Sequence, residues 1–352
     1  MTVSINNNIT DFFNMQRLTV TLILCIFLFT SCKRNRLSAD VSKIVVKDFT
    51  IDRMEQDMFE HRLGNMEQLF NMLDSKYDGF YSSFQVMLNG GGRSFGPGAS
   101  DTEMLQAFLL DKDMNDVYNE CKKMYSDFTP IHDELIPALK HFKFYFPDKK
   151  IPRIVTYMSG FNFSILRVDS TIGIGLDMYL GSENKFYQMI QFPRYKTKNM
   201  RKEYIVSDLI RGWMLTEYSK TDDKNDLLSD MIYNGKILYL VDAMLPTTPD
   251  SIKIGFEKNQ LEWCYDNEYN MWATLIEKKL LFSSDQTETI KYIGEGPFTS
   301  TFSRDSPART GIWIGWQIVR KYMDNNTDIT LEQLMSNTNY QEILNKSKYK
   351  PK

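Results

Sequence analysis

Three polar side chains within one helical turn are the first candidates for chemistry in this chain. Ser207, Asp208 and Arg211 lie in the segment 204–215, whose apolar residues recur at helical spacing, and Asn234 lies in the next segment of this kind. Residues three apart share one face of a helix, so we expect Asp208 to pair with Arg211. These polar residues predict a cleft between the two helices.

Arg309 is a further charged candidate, in the loop 306–311 before another helical segment. We expect it to face the same cleft, together with Tyr322. Two interpretations remain open. The cleft is either a pocket that recognises a peptide or a glycan, or a network of charges that supports the fold, and the second is favoured.

A different chemistry is expected at Cys32. A positive charge, the apolar run 22–29 and the small residues Thr30 and Ser31 precede it, an order typical of a secretory signal peptide. The run is shorter than the roughly 20 apolar residues that span a bilayer. The small pair before a cysteine resembles the recognition site of lipoprotein signal peptidase. We therefore expect removal of residues 1–31 and attachment of lipid at Cys32.

An acylated Cys32 would hold the protein permanently at a lipid membrane, because several acyl chains bury enough CH₂ groups to prevent release. Residues 32–40 would then form a lipidated linker. A signal anchor, or a secreted protein in which Cys32 is incidental, is the alternative. Either way, the chain is expected to leave the cytoplasm.

The composition bounds the class of protein. A formal net charge of -3 offers no basic face for nucleic acid, and 42% hydrophobic residues are ample for a core. Residues 41–350 are expected to form a single domain. Once Cys25 is removed and Cys32 is acylated, Cys121 and Cys264 remain, either as a disulfide or as two buried thiols.

The order of predicted elements is helices, then a compact sheet, then helices again. This order is typical of an α+β fold rather than of alternating βαβ units, mostly helical with a small central sheet. The glycine-rich run 89–98 is predicted to be a loop. Helices are predicted within 51–74 and 101–146 and at 201–218, 225–244, 254–280 and 312–323, and strands at 44–46, 151–158, 161–168 and 172–180.

This order resembles the scaffold of zincin-type zinc peptidases, in which a small sheet precedes a helix carrying HExxH and a second helix carrying a glutamate. In that frame Ser207 and Arg211 occupy the two histidine positions and Asp208 the glutamate position, while Asn234 occupies that of the third ligand. Arginine does not deprotonate to bind a metal, and asparagine is neutral. We expect a zincin-like scaffold without its metal site, with no metal, no cofactor and no catalytic residue.

Four stretches, together with the cysteine context at residue 32, resemble the gliding-motility lipoprotein family GldB of the Bacteroidota. The stretches are 173–181 (GIGLDMYLG), 207–214, 234–246 and 311–323. That family is similar to peptidases that have lost HExxH. The resemblance implies a membrane-anchored, non-catalytic component of the gliding motility and type IX secretion machinery, with other envelope or gliding-machinery proteins as partners.

The residues after Cys32 bear on location. Lipoproteins sent to the cell surface in this phylum typically carry an acidic run there, whereas this chain has Lys33 and Arg34. We therefore expect a cell-envelope protein anchored in the outer membrane and facing the periplasm.

Two alternatives of other classes remain open. One is a periplasmic lipoprotein that binds a peptide or a glycan, in which case Trp213, Trp263, Trp313 and Trp316 should be exposed in a groove. The other is a hydrolase with an unrecognised, metal-free site. The sequence has one GxSxG pattern, at residues 92–96, but no predicted strand leads into this glycine-rich run, as the nucleophile elbow of a hydrolase requires.

Overall fold

The computed structural model describes residues 36–47, 49–90 and 99–351. The described residues divide into two units, 36–40 and 41–351. Residues 36–40, the described part of the first unit, contain no helix or strand. The signal peptide and the lipid attachment at Cys32 lie outside the described residues and stay predictions.

A four-stranded mixed sheet forms the centre of the second unit, with the strand order β1-β2-β4-β3. β1, β2 and β4 run parallel, and β3 pairs antiparallel with β4. Among the four, β2 and β4 are the most buried, as expected for inner strands with elements packed on both faces. The strands are β1 (Ile51–Arg53), β2 (Arg153–Tyr157), β3 (Ile165–Val168) and β4 (Thr171–Gly175).

Helices make up most of the rest of the described chain. Five precede the second strand: α1 (Met54–Glu60), α2 (Met66–Gly90), α3 (Asp101–Leu110), α4 (Lys112–Met124) and α5 (Thr129–Tyr145). Those that follow the sheet are α6 (Lys185–Met189), α7 (Arg194–Thr197), α8 (Ile205–Glu217), α9 (Leu227–Met244), α10 (Asp250–Ile254), α11 (Lys258–Asp266), α12 (Glu268–Glu277), α13 (Gln286–Ile293), α14 (Thr310–Asn325), α15 (Leu331–Ser336) and α16 (Tyr340–Ser347). The predicted α+β class, mostly helical with one small sheet, is confirmed.

Several local predictions were wrong. The predicted strands 161–168 and 172–180 are shorter in the structure, since β3 starts at Ile165 and β4 ends at Gly175 before a 3-10 turn. Residues 44–46 form no strand; the first strand is Ile51–Arg53, because pairing with β2 outweighs local β propensity. The segment 51–74 is not one helix, since it holds β1, α1 and the start of α2. The segment 254–280 is divided among short helices; α10 ends at Ile254, and the next residue, Gly255, is left-handed (φ 73°).

The glycine-rich run was predicted to be a loop from residue 89 onward. α2 instead continues to Gly90, and residues 91–98 lie outside the described residues. This helix has a break at Asp78 (φ 44°, ψ -131°), where it kinks.

Helix α9 runs through the helical core, and most of its residues are buried. It packs against α14, α8 and α5. Contact with α14 is close because both helices have glycine at the crossing: a Cβ atom at Gly235 would lie 2.4 Å from the backbone of Gly315. No helix within the described residues is long and apolar enough to cross a membrane.

Candidate functional site: a cleft beside helix α8

A cavity of about 310 Å³ lies where the end of the sheet meets α8 and the loop before α14. Strand β4 runs directly into a 3-10 turn, Leu176–Tyr179, which brings Tyr179 to the cavity. Helix α8 contributes Asp208 and Arg211. The cavity is lined by Phe161, Asn162, Ser164, Met178, Tyr179, Phe192, Tyr195, Lys196, Asn199, Met200, Asp208, Arg211, Glu295 and Arg309.

Asp208 is held from two sides. The Tyr179 hydroxyl donates a hydrogen bond to Oδ2 at 3.0 Å, and Nη2 of Arg211 donates to Oδ1 at 3.2 Å. Burial raises the pKa of Asp208, while the charge of Arg211 and the hydrogen bond from Tyr179 oppose that rise. The predicted ion pair between Asp208 and Arg211 is therefore present, and Tyr179, in the turn after β4, adds a hydrogen bond to it.

A second buried carboxylate, Asp177, shapes the cavity wall. It accepts hydrogen bonds from the backbone N–H of Ser159 at 2.8 Å and of Phe161 at 2.6 Å, and from the Ser159 hydroxyl at 3.0 Å. These bonds hold the turn after β2, in which Gly160 (φ 63°) and Phe161 (φ 64°) are left-handed. The ring of Phe161 is thereby placed on the wall of the cavity.

Arg309 carries a nearly buried guanidinium, with 9% of its side chain exposed. Its Nη2 donates to the carbonyl oxygen of Gly255 at 3.4 Å, and its Nε lies 3.5 Å from the Glu295 carboxylate without forming a hydrogen bond. The guanidinium also lies over the ring of Phe256, 5.4 Å from its centroid. Burial lowers the pKa of Arg309.

A second cavity of about 240 Å³ shares Arg211, Glu295 and Arg309 with the first. Asn234 lines this second cavity, and its Nδ2 donates to the backbone oxygen of Asp230 at 2.9 Å. The rest of its lining is apolar: Leu215, Ile237, Leu238, Ile254, Ile293 and Ile312. Arg211, Arg309 and Glu295 therefore line both the first cavity, whose lining is part polar and part apolar, and the second, whose other lining residues are mostly apolar.

The structure gathers some of the predicted cleft residues and separates others. Asp208, Arg211 and Arg309 line one cavity, and Asn234 lines its neighbour. Ser207 lines neither; it is buried, and its hydroxyl donates to the Ile252 carbonyl oxygen at 3.4 Å. Tyr322 was expected in the cleft, but it is buried within α14 and lines neither cavity.

Sequence reasoning missed three residues that shape the site. Tyr179 and Asp177 lie in the motif 173–181, which supported the family resemblance without assigning a role to either residue. Glu295 lies in a loop with no periodic pattern, and no local signal could have placed it beside Arg309.

Metal and thiol chemistry have few candidate groups in the described ranges. No group of three or more His, Cys, Asp or Glu side chains that could hold a metal ion occurs there. Cys121 and Cys264 are both unpaired and buried. Burial raises the pKa of both thiols above their ordinary value, so the reactive thiolate is disfavoured.

The fold and the cleft define a helical α+β protein with a small mixed sheet and a charged cavity at its edge. The family model described as gliding motility protein GldB matches residues 34–351, and the chain belongs to that family. Membership implies involvement in gliding motility and indicates a lipoprotein of the cell envelope. Searches of curated proteins and of solved structures found no match.

Proposed function

We propose that the protein is a lipid-anchored, non-catalytic component of the envelope machinery for gliding motility, linked to type IX secretion. The observation that supports it best is the engagement of Asp208 by Tyr179 and Arg211. Each oxygen of Asp208 accepts a hydrogen bond from the protein, which fits a carboxylate held in a structural ion pair.

The zincin-like outline belongs to the same proposal. That frame requires the helices of Ser207 and Asn234 to be neighbours beside a small sheet, and α8 packs against both α9 and β3. Asp208 occupies the position of the peptidase glutamate but pairs with an arginine where a histidine ligand would stand. We infer a peptidase-like scaffold in which an ion pair has replaced the metal site.

The lipid anchor fits a function in assembling proteins at the membrane rather than in catalysing a reaction. A lipid at Cys32 would hold the domain beside the membrane, and the basic Lys33 and Arg34 favour the periplasmic face of the outer membrane. We infer that the partners are other envelope or gliding-machinery proteins. The glycan-binding alternative is less favoured, because Trp213, Trp313 and Trp316 are each at most 1% exposed, although Trp263 is only half-buried.

The test is complementation of a gene deletion in the organism that carries the gene, with colony spreading as the readout. Cys32→Ser should abolish spreading and move the protein out of the detergent phase of a Triton X-114 extract. Asp208→Asn removes the only carboxylate on α8 that faces the cleft but keeps its shape, and it should support spreading when its amount on an immunoblot matches wild type.

A second measurement addresses catalysis directly. The purified full-length chain in detergent micelles is incubated with fluorescent casein, with and without added zinc, and no hydrolysis above a heat-denatured sample is expected. Hydrolysis that disappears in Asp208→Asn would overturn the non-catalytic proposal.

A further inference from the structure

Arg309 is a residue of the cleft whose hydrogen-bond donors are not all paired within the fold. Its Nε is buried and has no hydrogen-bond partner, and the nearest carboxylate, Glu295, stays 3.5 Å away with 60% of its side chain exposed. A buried charge without good partners is costly. Arg309 also holds a left-handed backbone (φ 59°, ψ 29°), and such strain in a non-glycine residue is concentrated at functional sites.

The surroundings of Arg309 favour an anion. Arg211 lines the same cavity, and its positive charge helps to lower the pKa of Arg309 after the larger effect of burial. Asp208 does not relieve this repulsion fully, because it is shared with Tyr179 and burial disfavours its charged form. The guanidinium groups of Arg211 and Arg309 therefore line one cavity. The carboxylates that line it with them are Asp208, which also accepts a hydrogen bond from Tyr179, and Glu295, which is largely exposed.

The helix that follows Arg309 adds to the positive potential. α14 starts at Thr310 and is 16 residues long, and no side chain caps its first turn. The N-terminal end of a helix carries a partial positive charge that stabilises a nearby anion. Arginine, with its planar fork of N–H donors, suits a carboxylate in particular because it can bind both oxygens at once.

The remaining wall of the cavity indicates what the anion is attached to. It is mixed: its apolar and aromatic side chains are those of Phe161, Met178, Phe192, Tyr195 and Met200, and its polar ones include Ser164 and Lys196. The apolar and aromatic part suits an apolar side chain. The side-chain oxygens of two asparagines on the same wall can accept hydrogen bonds from peptide N–H groups; these are Asn162 and Asn199.

We propose that this cleft binds the free C-terminal carboxylate of a peptide whose last residue is apolar. The guanidinium of Arg309 holds the carboxylate, which takes the place of Glu295, and the last side chain packs on the ring of Phe161. The inference rests on the proposed function, because it assigns a partner class to a non-catalytic cleft. No bond is made or broken.

Substitution of Glu295 provides a test in which the variant should bind the ligand more tightly than wild type. Glu295 competes with the ligand for Arg309, so Glu295→Gln should tighten binding of a carboxylate, whereas Arg309→Gln should weaken it. Arg309→Lys keeps the charge but loses the two-point geometry, so it should also weaken binding. Matched controls are the exposed Arg304 (Arg304→Gln), which precedes Arg309 in the same loop, and the exposed Glu277 (Glu277→Gln) on α12.

The probe is the peptide acetyl-Ala-Ala-Phe with a free C-terminus, compared with its C-terminal amide, titrated calorimetrically into the full-length chain in detergent micelles. Wild type should bind the acid about tenfold or more tighter than the amide, the scale expected for a lost charge-assisted pair. Arg309→Gln and Arg309→Lys should abolish this preference, and Glu295→Gln should tighten acid binding about threefold or more by removing a competing charge. Circular dichroism confirms that each variant is folded.

Several results would overturn the inference. They are equal binding of acid and amide by wild type, no binding of the acid at millimolar concentration, and tighter binding of galacturonate or inorganic phosphate than of the peptide. None of these results bears on spreading by the Asp208→Asn protein, so failure here is separable from failure of the proposed function. Cleavage of the probe, in contrast, would refute the non-catalytic proposal and leave the binding site in place.

Discussion

The hydroxyl of Tyr179 donates a hydrogen bond to Oδ2 of Asp208 at 3.0 Å, and this bond joins the end of the sheet to helix α8. Tyr179 stands at the end of the 3-10 turn that follows β4, and Asp208 lies in the first turn of the helix. The bond therefore links two residues of the cavity lining that come from different elements. It also favours the charged form of Asp208, which burial disfavours.

We expect Tyr179→Phe to reduce the free energy of unfolding at pH 7 by about 1.5–3 kcal/mol, the range for a hydrogen bond to a charged group. Urea denaturation measures this loss. Tyr195→Phe is the matched control, since that ring lines the same cavity, and it should change stability by less than about 0.5 kcal/mol.

The loss in Tyr179→Phe should depend on pH. The hydrogen bond favours ionised Asp208, so its removal raises the pKa of that carboxyl further above its ordinary value. The stabilisation that Tyr179 provides is present above the folded-state pKa and is lost as the pH falls through it. A loss that stays constant down to pH 4 would contradict the assigned ionic state of Asp208.

The crossing of α9 and α14 should not tolerate a methyl group. A Cβ atom at Gly315 would lie 1.8 Å from the carbonyl oxygen of Met231, and backbone cannot yield as a flexible side chain can. Gly315→Ala is expected to lower the free energy of unfolding by about 3 kcal/mol or more, at the upper end of overpacking effects. In Gly296→Ala, where the nearest such atom is 3.7 Å from the new Cβ, thermal denaturation should show little change.

Asp242 is predicted to be the most sensitive acidic residue of the core. With 6% of its side chain exposed, it accepts hydrogen bonds from Lys253 Nζ at 2.8 Å, Trp316 Nε1 at 2.9 Å and Arg320 Nε at 2.8 Å. Asp242→Ala leaves two cations without this partner and should cost about 3–5 kcal/mol. Asp250→Ala should cost less, because that side chain is 25% exposed. Equal losses in urea denaturation would contradict this ranking.

Lys236 should make stability depend on pH in the alkaline range. Burial lowers its pKa to about 8, and its ammonium donates to the carbonyl oxygen of Asn337 and lies 5.0 Å from the ring centroid of Tyr340. Between pH 8 and its ordinary pKa of 10.5, the unfolded chain holds a proton that the folded chain has lost. Stability from this residue therefore rises with pH across that window, by up to about 3 kcal/mol.

Lys236→Met isolates this contribution, because methionine keeps an unbranched chain against Tyr340 but does not titrate. Urea denaturation of both proteins from pH 7 to pH 10.5 should show wild type gaining stability relative to the variant as the pH rises. A difference that does not change with pH would mean that Lys236 keeps its proton in the fold.

Some features of the site followed from local sequence alone. The pair Asp208 and Arg211 was predictable because three residues of helix bring two side chains onto one face. Helices were predicted within 101–146, where the structure has α3, α4 and α5, and at 312–323, near the bounds of α14, because these segments carry apolar periodicity. The small sheet and the α+β class followed from the order of these patterns.

Other features were decided only by the tertiary structure. Tyr179 contacts Asp208, and Glu295 lies beside Arg309, although a stretch of chain separates the two residues of each pair. The local sequence gives no signal that these residues meet. The first strand formed at Ile51–Arg53 because β2 was available to pair with it there, although residues 44–46 have the more β-branched sequence. Local periodicity determines which face of an element is apolar, whereas burial and long-range pairing determine which elements meet. Burial and long-range pairing therefore create the charged cleft. They also leave the guanidinium of Arg309 without a full set of hydrogen-bond partners.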